Sequence, residues 1–250
     1  MKNIKKKVAL GFLCLGLIGA TLWTVSKTGA DNVASEEEGQ NAEKVVFNNQ
    51  IELTINPEQI YGTFEAEHSW DIDPRVPENL ISNGKTSVVQ LKVLSVGEAE
   101  MLPKTENFYT EIPYTPINVE IIDTISGNPL SGKKTIYIEG GDIKISKLLS
   151  SMDTQRSSKM GLDELSQDQK DSMYISYKSE FDYKMKTGKE YGIILVNPIE
   201  DIYTVMANGY GIFDLDTTAN TKSVKMASKM FKNVITGKES ALKFSELKSN

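Results

Sequence analysis

Side chains that could act as catalytic nucleophiles, general bases or metal ligands are few in this chain of 250 residues. His68 is the single histidine, and Ser69 beside it would point to the opposite face of a strand, so the two do not predict a nucleophile and its base. Cys14, the single cysteine, lies inside a long apolar run near the start of the chain. Zinc sites need several Cys and His side chains, so neither thiol catalysis nor a zinc site is expected. We interpret His68 as an exposed loop residue.

Two tight pairs of aspartates have the oxygen ligands that calcium prefers, namely Asp71 with Asp73 and Asp214 with Asp216. Neither pair continues into an Asp-x-Asp-x-Asp-Gly loop, so we interpret both as solvated surface. The sequence therefore predicts no metal site.

Paired glycines at Gly140-Gly141 and Gly209-x-Gly211 are not followed by Gly-Lys-Ser/Thr. They favour backbone sites with positive φ or a bend in a barrel over phosphate-binding loops. We expect no catalytic residue and no cofactor. A Ser–Lys dyad and a pair of facing carboxylates stay open as alternatives, because neither chemistry has a readable spacing along the chain.

The first 30 residues predict the cellular location of the chain. Residues 8–25 carry no charge and follow four lysines at positions 2, 5, 6 and 7. As a helix this run would be about 27 Å long, just short of the roughly 30 Å hydrocarbon core of a bilayer. The lysines favour a cytoplasmic amino terminus, so the remainder is expected to be exported. Two fates stay open: a signal peptide cut after Ala30, or a retained anchor that holds the protein to the cell membrane.

Charge divides the rest into segments. Residues 31–43 are polar and acidic and predict a disordered linker. Residues 31–216 hold 16 basic and 32 acidic side chains, which argues against nucleic acid as a partner. Residues 217–250 hold seven lysines and two glutamates. This basic tail would dock on the acidic body or on an anionic surface.

Alternating apolar residues predict a mainly β domain over residues 44–216. Strands are expected at 51–55, 86–96, 114–125 and 135–139, and the apolar run 191–196 predicts a central strand buried on both faces. Further strands are expected at 202–206 and 210–215. Six to eight strands separated by turn residues favour a closed or half-closed antiparallel barrel. Without cysteine, the domain must depend on its hydrophobic core.

Two stretches interrupt this pattern, and both carry aromatic residues. Residues 97–113 predict a loop that carries Phe108 and Tyr109, and residues 147–182 predict a long surface excursion that includes Tyr174 and Tyr177. We expect these two loops to form the interaction surface. For the aromatic residues of 147–182 the alternative is a lid that covers the core.

The carboxy-terminal tail has the periodicity of an amphipathic helix. Its apolar residues recur at helical spacing, with lysines on the other faces and Gly237 at the end, and they are Val224, Ala227, Met230, Phe231, Val234 and Ile235. This helix would lie on a membrane surface or pack against the barrel.

Several motif residues between positions 80 and 215 resemble a family of exported Gram-positive bacterial proteins of unassigned function. They are Thr115 with Val119, Gly140-Gly141, Gly188 with Tyr191, and Gly211 with Phe213, with Ser126-Gly127 where the family has Lys-Gly. The resemblance implies an OB-like barrel similar to the netrin-type fold and brings no catalytic residues with it.

These observations together predict an exported, extracytoplasmic β-barrel module of the cell envelope that binds a protein, peptide or polymer and is not an enzyme. If the leader is retained, residues 8–25 would also bind the membrane. The alternative is an envelope hydrolase with a carboxylate or Ser–Lys site.

Overall fold

The computed structural model of the chain describes residues 55–81, 85–106, 108–215 and 230–244. The described residues form eleven strands, which are β1 (Ile60–Ala66), β2 (Thr86–Val96), β3 (Tyr114–Gly127), β4 (Gly132–Glu139), β5 (Gly141–Lys144), β6 (Tyr174–Ser179), β7 (Glu190–Ile199), β8 (Ile202–Val205), β9 (Ile212–Leu215), β10 (Phe231–Asn233) and β11 (Glu239–Ser240). They also form helices α1 (Ile145–Leu149), α2 (Thr154–Lys159) and α3 (Gln167–Ser172), and 3₁₀ turns at Pro57–Gln59, Pro77–Leu80 and Asn208–Gly211.

Five strands close into a barrel in the order β7-β2-β3-β4-β8, and β8 pairs back onto β7. The mainly β prediction is thus confirmed, and so is the barrel. The barrel is not wholly antiparallel as predicted, because β4 and β8 run parallel, with Ile136 opposite Tyr203. Residues 128–131 connect β3 to β4.

The barrel interior is filled by alternate residues of its long strands. Leu91 on β2, Val119 on β3 and Ile193 on β7 are fully buried members of this core. Strand β7 is central as predicted: it pairs with β2, β8 and β9, and Ile194 points into a second core on its other face. Burial on both faces explains its continuous apolar run.

The predicted helix in the tail is wrong for residues 231–233. These residues form β10, which extends the barrel sheet through β9, and a tight turn leads to β11. Phe231 and Asn233 are buried and Lys232 between them is exposed, which is strand alternation over three residues. Gly237, expected to end a helix, lies in the turn with φ of +68°. The rest of the predicted helix, residues 217–229, lies outside the described residues.

A smaller sheet lies beside the barrel in the order β1-β6-β5, with β1 and β6 parallel. We refer to it as the small sheet. It has a core of its own with α1 and the segment after α2, to which Ile143, Leu148, Leu162 and Ile175 contribute. The predicted surface excursion over 147–182 is therefore partly wrong, since it includes three short helices or parts of them and the buried strand β6.

The chain passes from the barrel to the small sheet at Gly140 and Gly141. Their φ angles are +91° and +113°, which agrees with the prediction of positive φ at this pair. The Thr115 hydroxyl donates to the Gly140 carbonyl at 2.8 Å. A Cβ on Gly141 would lie 2.1 Å from Thr115 Oγ1, so no other residue fits here without movement of the backbone.

The predictions for the leader at 1–30 and for the linker at 31–43 fall outside the described residues. Among the helices that are described, none combines the length and the apolar character needed to cross a bilayer.

Candidate functional site

The two segments predicted as an interaction surface meet in space. Residues 97–113 leave β2 and return to β3, and they are held at their base by paired backbone bonds between Glu100 and Tyr114, at 2.9 and 2.7 Å. At their tip, Thr105 and Phe108 form an isolated bridge. The other segment carries α1 and α2. We call the place where the two segments meet the two-loop surface.

An ion pair between Glu111 and Arg156 joins the two segments of this surface. The two side chains are 36 % and 23 % exposed, so the pair is partly shielded from water. Arg156 is set in place by α2, because Asp153 caps that helix and accepts a hydrogen bond from the Arg156 backbone at 2.8 Å. Charge pairing and helix capping therefore fix one loop against the other.

Tyr109 stands on this surface with its ring in solvent. Its side chain is 56 % exposed, the highest value among the large hydrophobic residues that the structure describes. The hydroxyl donates to Glu111 Oε1 at 3.1 Å, and the Lys104 ammonium lies 4.5 Å from the ring centroid. Contacts at both its edge and its face favour this orientation of the ring. Phe108 beside it is half-buried.

Tyr174 and Tyr177, the other two residues predicted for this surface, are buried and do not lie on it. They are only 8 % and 5 % exposed, because both lie on β6, the middle strand of the small sheet. Tyr177 stacks on Phe64 of β1 with ring centroids 5.3 Å apart, and burial raises the pKa of its hydroxyl. Aromatic spacing along the chain does not distinguish a buried strand from an exposed stripe.

The cavity at the two-loop surface is too small for an organic ligand. Its volume is about 20 Å³, which is room for about one water molecule. Met101 and Met152 line it from opposite loops, together with Leu148. Recognition here would therefore use the outer surface and the Tyr109 ring.

A larger cavity of about 240 Å³ lies at the other side of the barrel, next to β9 and β10. Its apolar wall consists of Val76, Pro77, Tyr210 and Phe213. No local pattern in the sequence marks this cavity, because its walls come from segments more than 100 residues apart. Its lining includes two cations, Arg75 and Lys238, and two carboxylates, Glu78 and Glu239, so its charge selects no class of ligand.

His68 is not the exposed loop residue that was predicted. Its side chain is 19 % exposed and its Nε2 lies 2.7 Å from Glu139 Oε1. The pKa of His68 is raised, chiefly by this hydrogen bond and against the effect of burial. Ser69 is exposed and makes no hydrogen bond with the ring among the bonds described.

Of the aspartates interpreted as solvated surface, Asp71 is exposed, while Asp73 and Asp214 have protein partners. Asp73 binds Arg75 through both carboxylate oxygens, at 2.7 and 3.0 Å, and Asp214 pairs with Lys189 at 2.8 Å. Asp216 lies outside the described residues. Within residues 55–81, 85–106, 108–215 and 230–244, no three His, Cys, Asp or Glu side chains are grouped so as to hold a metal ion.

Comparison of the chain with protein-family models, with curated proteins and with solved structures finds no match. The resemblance described above stays a prediction. Of its motif residues, Thr115 and Gly140-Gly141 contact each other at the passage between barrel and small sheet, and Tyr191 and Phe213 are fully buried.

Proposed function

We propose that this protein is an exported, non-enzymatic binding module of the cell envelope, built on an OB-like barrel. The observation that carries the proposal is the two-loop surface, where an ion pair holds two long segments together under an exposed, oriented tyrosine. An aromatic ring exposed to water contributes little to folding, whereas aromatic rings are the common anchors of protein interfaces.

The connectivity of the barrel supports the OB-like part of this proposal. Numbered in chain order, the five barrel strands from first to fifth are β2, β3, β4, β7 and β8. The third strand then lies beside the fifth, and the fourth returns to the first, as in a five-stranded Greek-key barrel. In OB-folds the face of the second and third strands binds extended polymers, together with the connections between the first and second and between the fourth and fifth strands. The two-loop surface shares the connection between the first and second strands with these sites.

Export rests on the leader. The four lysines followed by eighteen uncharged residues favour insertion with the amino terminus inside, which places the acidic barrel on the outer side of the membrane. Cleavage after Ala30 would release the barrel, and retention would anchor it through residues 8–25. Either outcome leaves the barrel extracytoplasmic.

The partner of this surface would be a protein, a peptide or an envelope polymer. A cavity with room for one water excludes enclosure of a small molecule at this place, and a partly exposed ion pair beside an aromatic ring suits a broad contact. Glu111 and Asp153, the carboxylates that line the cavity, are already engaged by Arg156 and by the amino end of α2. We propose no hydrolytic function for them.

Two matched variants of the full chain test this proposal. Tyr109→Ser removes the exposed ring, and Ile122→Ser removes a side chain of similar exposure, 44 %, from β3. Both should leave the free energy of unfolding within about 0.5 kcal/mol of the wild type, because both side chains are exposed.

Binding is then measured as retention of envelope extract on the immobilised full chain, followed by affinity measurements with the isolated component. Loss of a central tyrosine should weaken binding by about 2 kcal/mol, or roughly 30-fold in Kd. The Ile122→Ser variant should bind as the wild type does. Equal retention by all three proteins would contradict the proposal.

A further inference from the structure

His68 joins the small sheet to the barrel. It follows β1 by two residues, and its Nε2 lies 2.7 Å from the Oε1 atom of Glu139, the last residue of β4. The ring also stacks on Trp70, with centroids 5.4 Å apart and planes inclined by 14°. Trp70 in turn packs against the core on the outer face of the barrel. One imidazole therefore connects elements that belong to different sheets.

This contact lies beside the only covalent passage from β4 to β5. Gly140 and Gly141 follow Glu139 directly, and both have positive φ. No side chain of the passage itself can hold the two sheets together, because neither glycine has one. The Thr115 hydroxyl holds the Gly140 carbonyl, and the Glu139 side chain, which directly precedes the passage, is held by His68.

The charges around the ring favour its protonated form. The Glu139 carboxylate and that of Asp182, which follows β6, both raise the pKa of His68. The Ala66 backbone also raises it. Neutral imidazole has one N–H donor, whereas imidazolium has two and carries a positive charge, which the Glu139 and Asp182 carboxylates stabilise. Among the described residues Nδ1 has no hydrogen-bond partner, so the gain on protonation is in charge and lies at Nε2. Partial burial weakens the screening of these charges by water.

We propose that protonation of His68 fastens the small sheet to the barrel, so that this contact is a pH-dependent clasp. Protonation thus converts a single hydrogen bond into a charge-assisted pair at a shielded position.

The direction of the pH effect follows from the raised pKa of His68 in the folded protein. Its stabilising contribution is complete below the unfolded pKa of about 6.5 and is lost as the pH rises through the folded pKa. The clasp is therefore closed in acid and loosens towards alkaline pH. The inference concerns the folded chain alone and does not depend on the function proposed for the two-loop surface.

A single histidine makes the titration directly measurable. In the full chain, purified without a polyhistidine tag, the imidazole proton resonances are followed by NMR from pH 5 to pH 9, with and without urea. The folded pKa is expected above the unfolded one, and Glu139→Gln is expected to lower it towards the unfolded value. A folded pKa at or below the unfolded one would overturn the proposal.

Hydrogen exchange of β1 tests whether protonation of His68 fastens the small sheet to the barrel. After correction for the intrinsic pH dependence of exchange, protection of β1 in the wild type should fall as His68 loses its proton, while His68→Gln and Glu139→Gln should show no such step. The control Asp214→Asn removes the Lys189–Asp214 pair between β7 and β9, which contains no histidine, and should keep the step. A step in His68→Gln, or none in the wild type, would refute the clasp.

Discussion

Replacement of Asn233 by alanine should destabilise the protein by about 3 kcal/mol. Asn233 is 5 % exposed and lies at the end of β10, in the tail that the sequence assigned to a helix. Its amide donates to the Tyr210 carbonyl at 2.8 Å, and its Oδ1 accepts from the backbone N–H groups of Ile235 at 3.0 Å and Thr236 at 2.9 Å. Three such bonds contribute about 1 kcal/mol each, and alanine replaces none of them.

Urea denaturation followed by tryptophan fluorescence measures this loss. With a denaturant dependence of about 2 to 3 kcal/mol per M, the unfolding midpoint should fall by about 1 to 1.5 M. Asn79→Ala is the matched control: its amide makes one exposed bond, to the Asp73 carbonyl at 3.0 Å, and its loss should cost below about 1 kcal/mol.

The result discriminates between two descriptions of the tail. If residues 230–244 complete the barrel sheet, Asn233→Ala is costly and Asn79→Ala is not. If the tail were a separate amphipathic helix, Asn233 would be exposed and its replacement by the better helix former alanine would be neutral or favourable. An effect of Asn233→Ala no larger than that of the control would refute the structural reasoning.

Two further predictions concern the passage between the sheets and the leader. Gly141→Ala should lower the melting temperature more than Gly132→Ala does. Both residues have positive φ, but only at Gly141 would an added Cβ collide with a neighbour, Thr115 Oγ1. Equal melting temperatures of the two variants would show that the backbone angle alone matters. Mass spectrometry of the mature protein should find either the intact amino terminus or cleavage after Ala30. In both cases the protein should be found outside the cytoplasm. A soluble cytosolic protein with its leader intact would exclude export.

The long barrel strands were predictable because one physical rule decides them. In β2, β3 and β7 the side chains that alternate towards the interior are apolar, so burial and strand periodicity agree over many residues. The central position of β7 was predictable for the same reason. A strand that packs against a core on both faces has apolar residues at consecutive positions.

Short strands defined by distant partners were not predictable. Strand β6 pairs with β1, more than 100 residues earlier in the chain, and its lone aromatic spacing suggested a surface stripe. Strand β10 has three residues, and with its neighbours it fits a helical period as well as a strand period. In both cases tertiary pairing outweighed the local pattern.

The candidate site was predictable only in part. Tyr109 lies at the surface within a predicted loop, but its partner pair, Glu111 and Arg156, is separated by 45 residues and depends on the capping of α2. The contact of His68 with Glu139, 71 residues apart, likewise has no local signal. Charged pairs that bridge two units become visible only when both units are folded.

The central claim is that the two-loop surface contacts an envelope partner, and cross-linking at Tyr109 tests it most directly. A photoreactive phenylalanine analogue is placed at position 109, or at Ile122 as the control, in the full chain produced by its own cells. Illumination should yield a discrete adduct from position 109, outside the cytoplasm, and none from position 122. No adduct from position 109, or the same adducts from both positions, would contradict the claim.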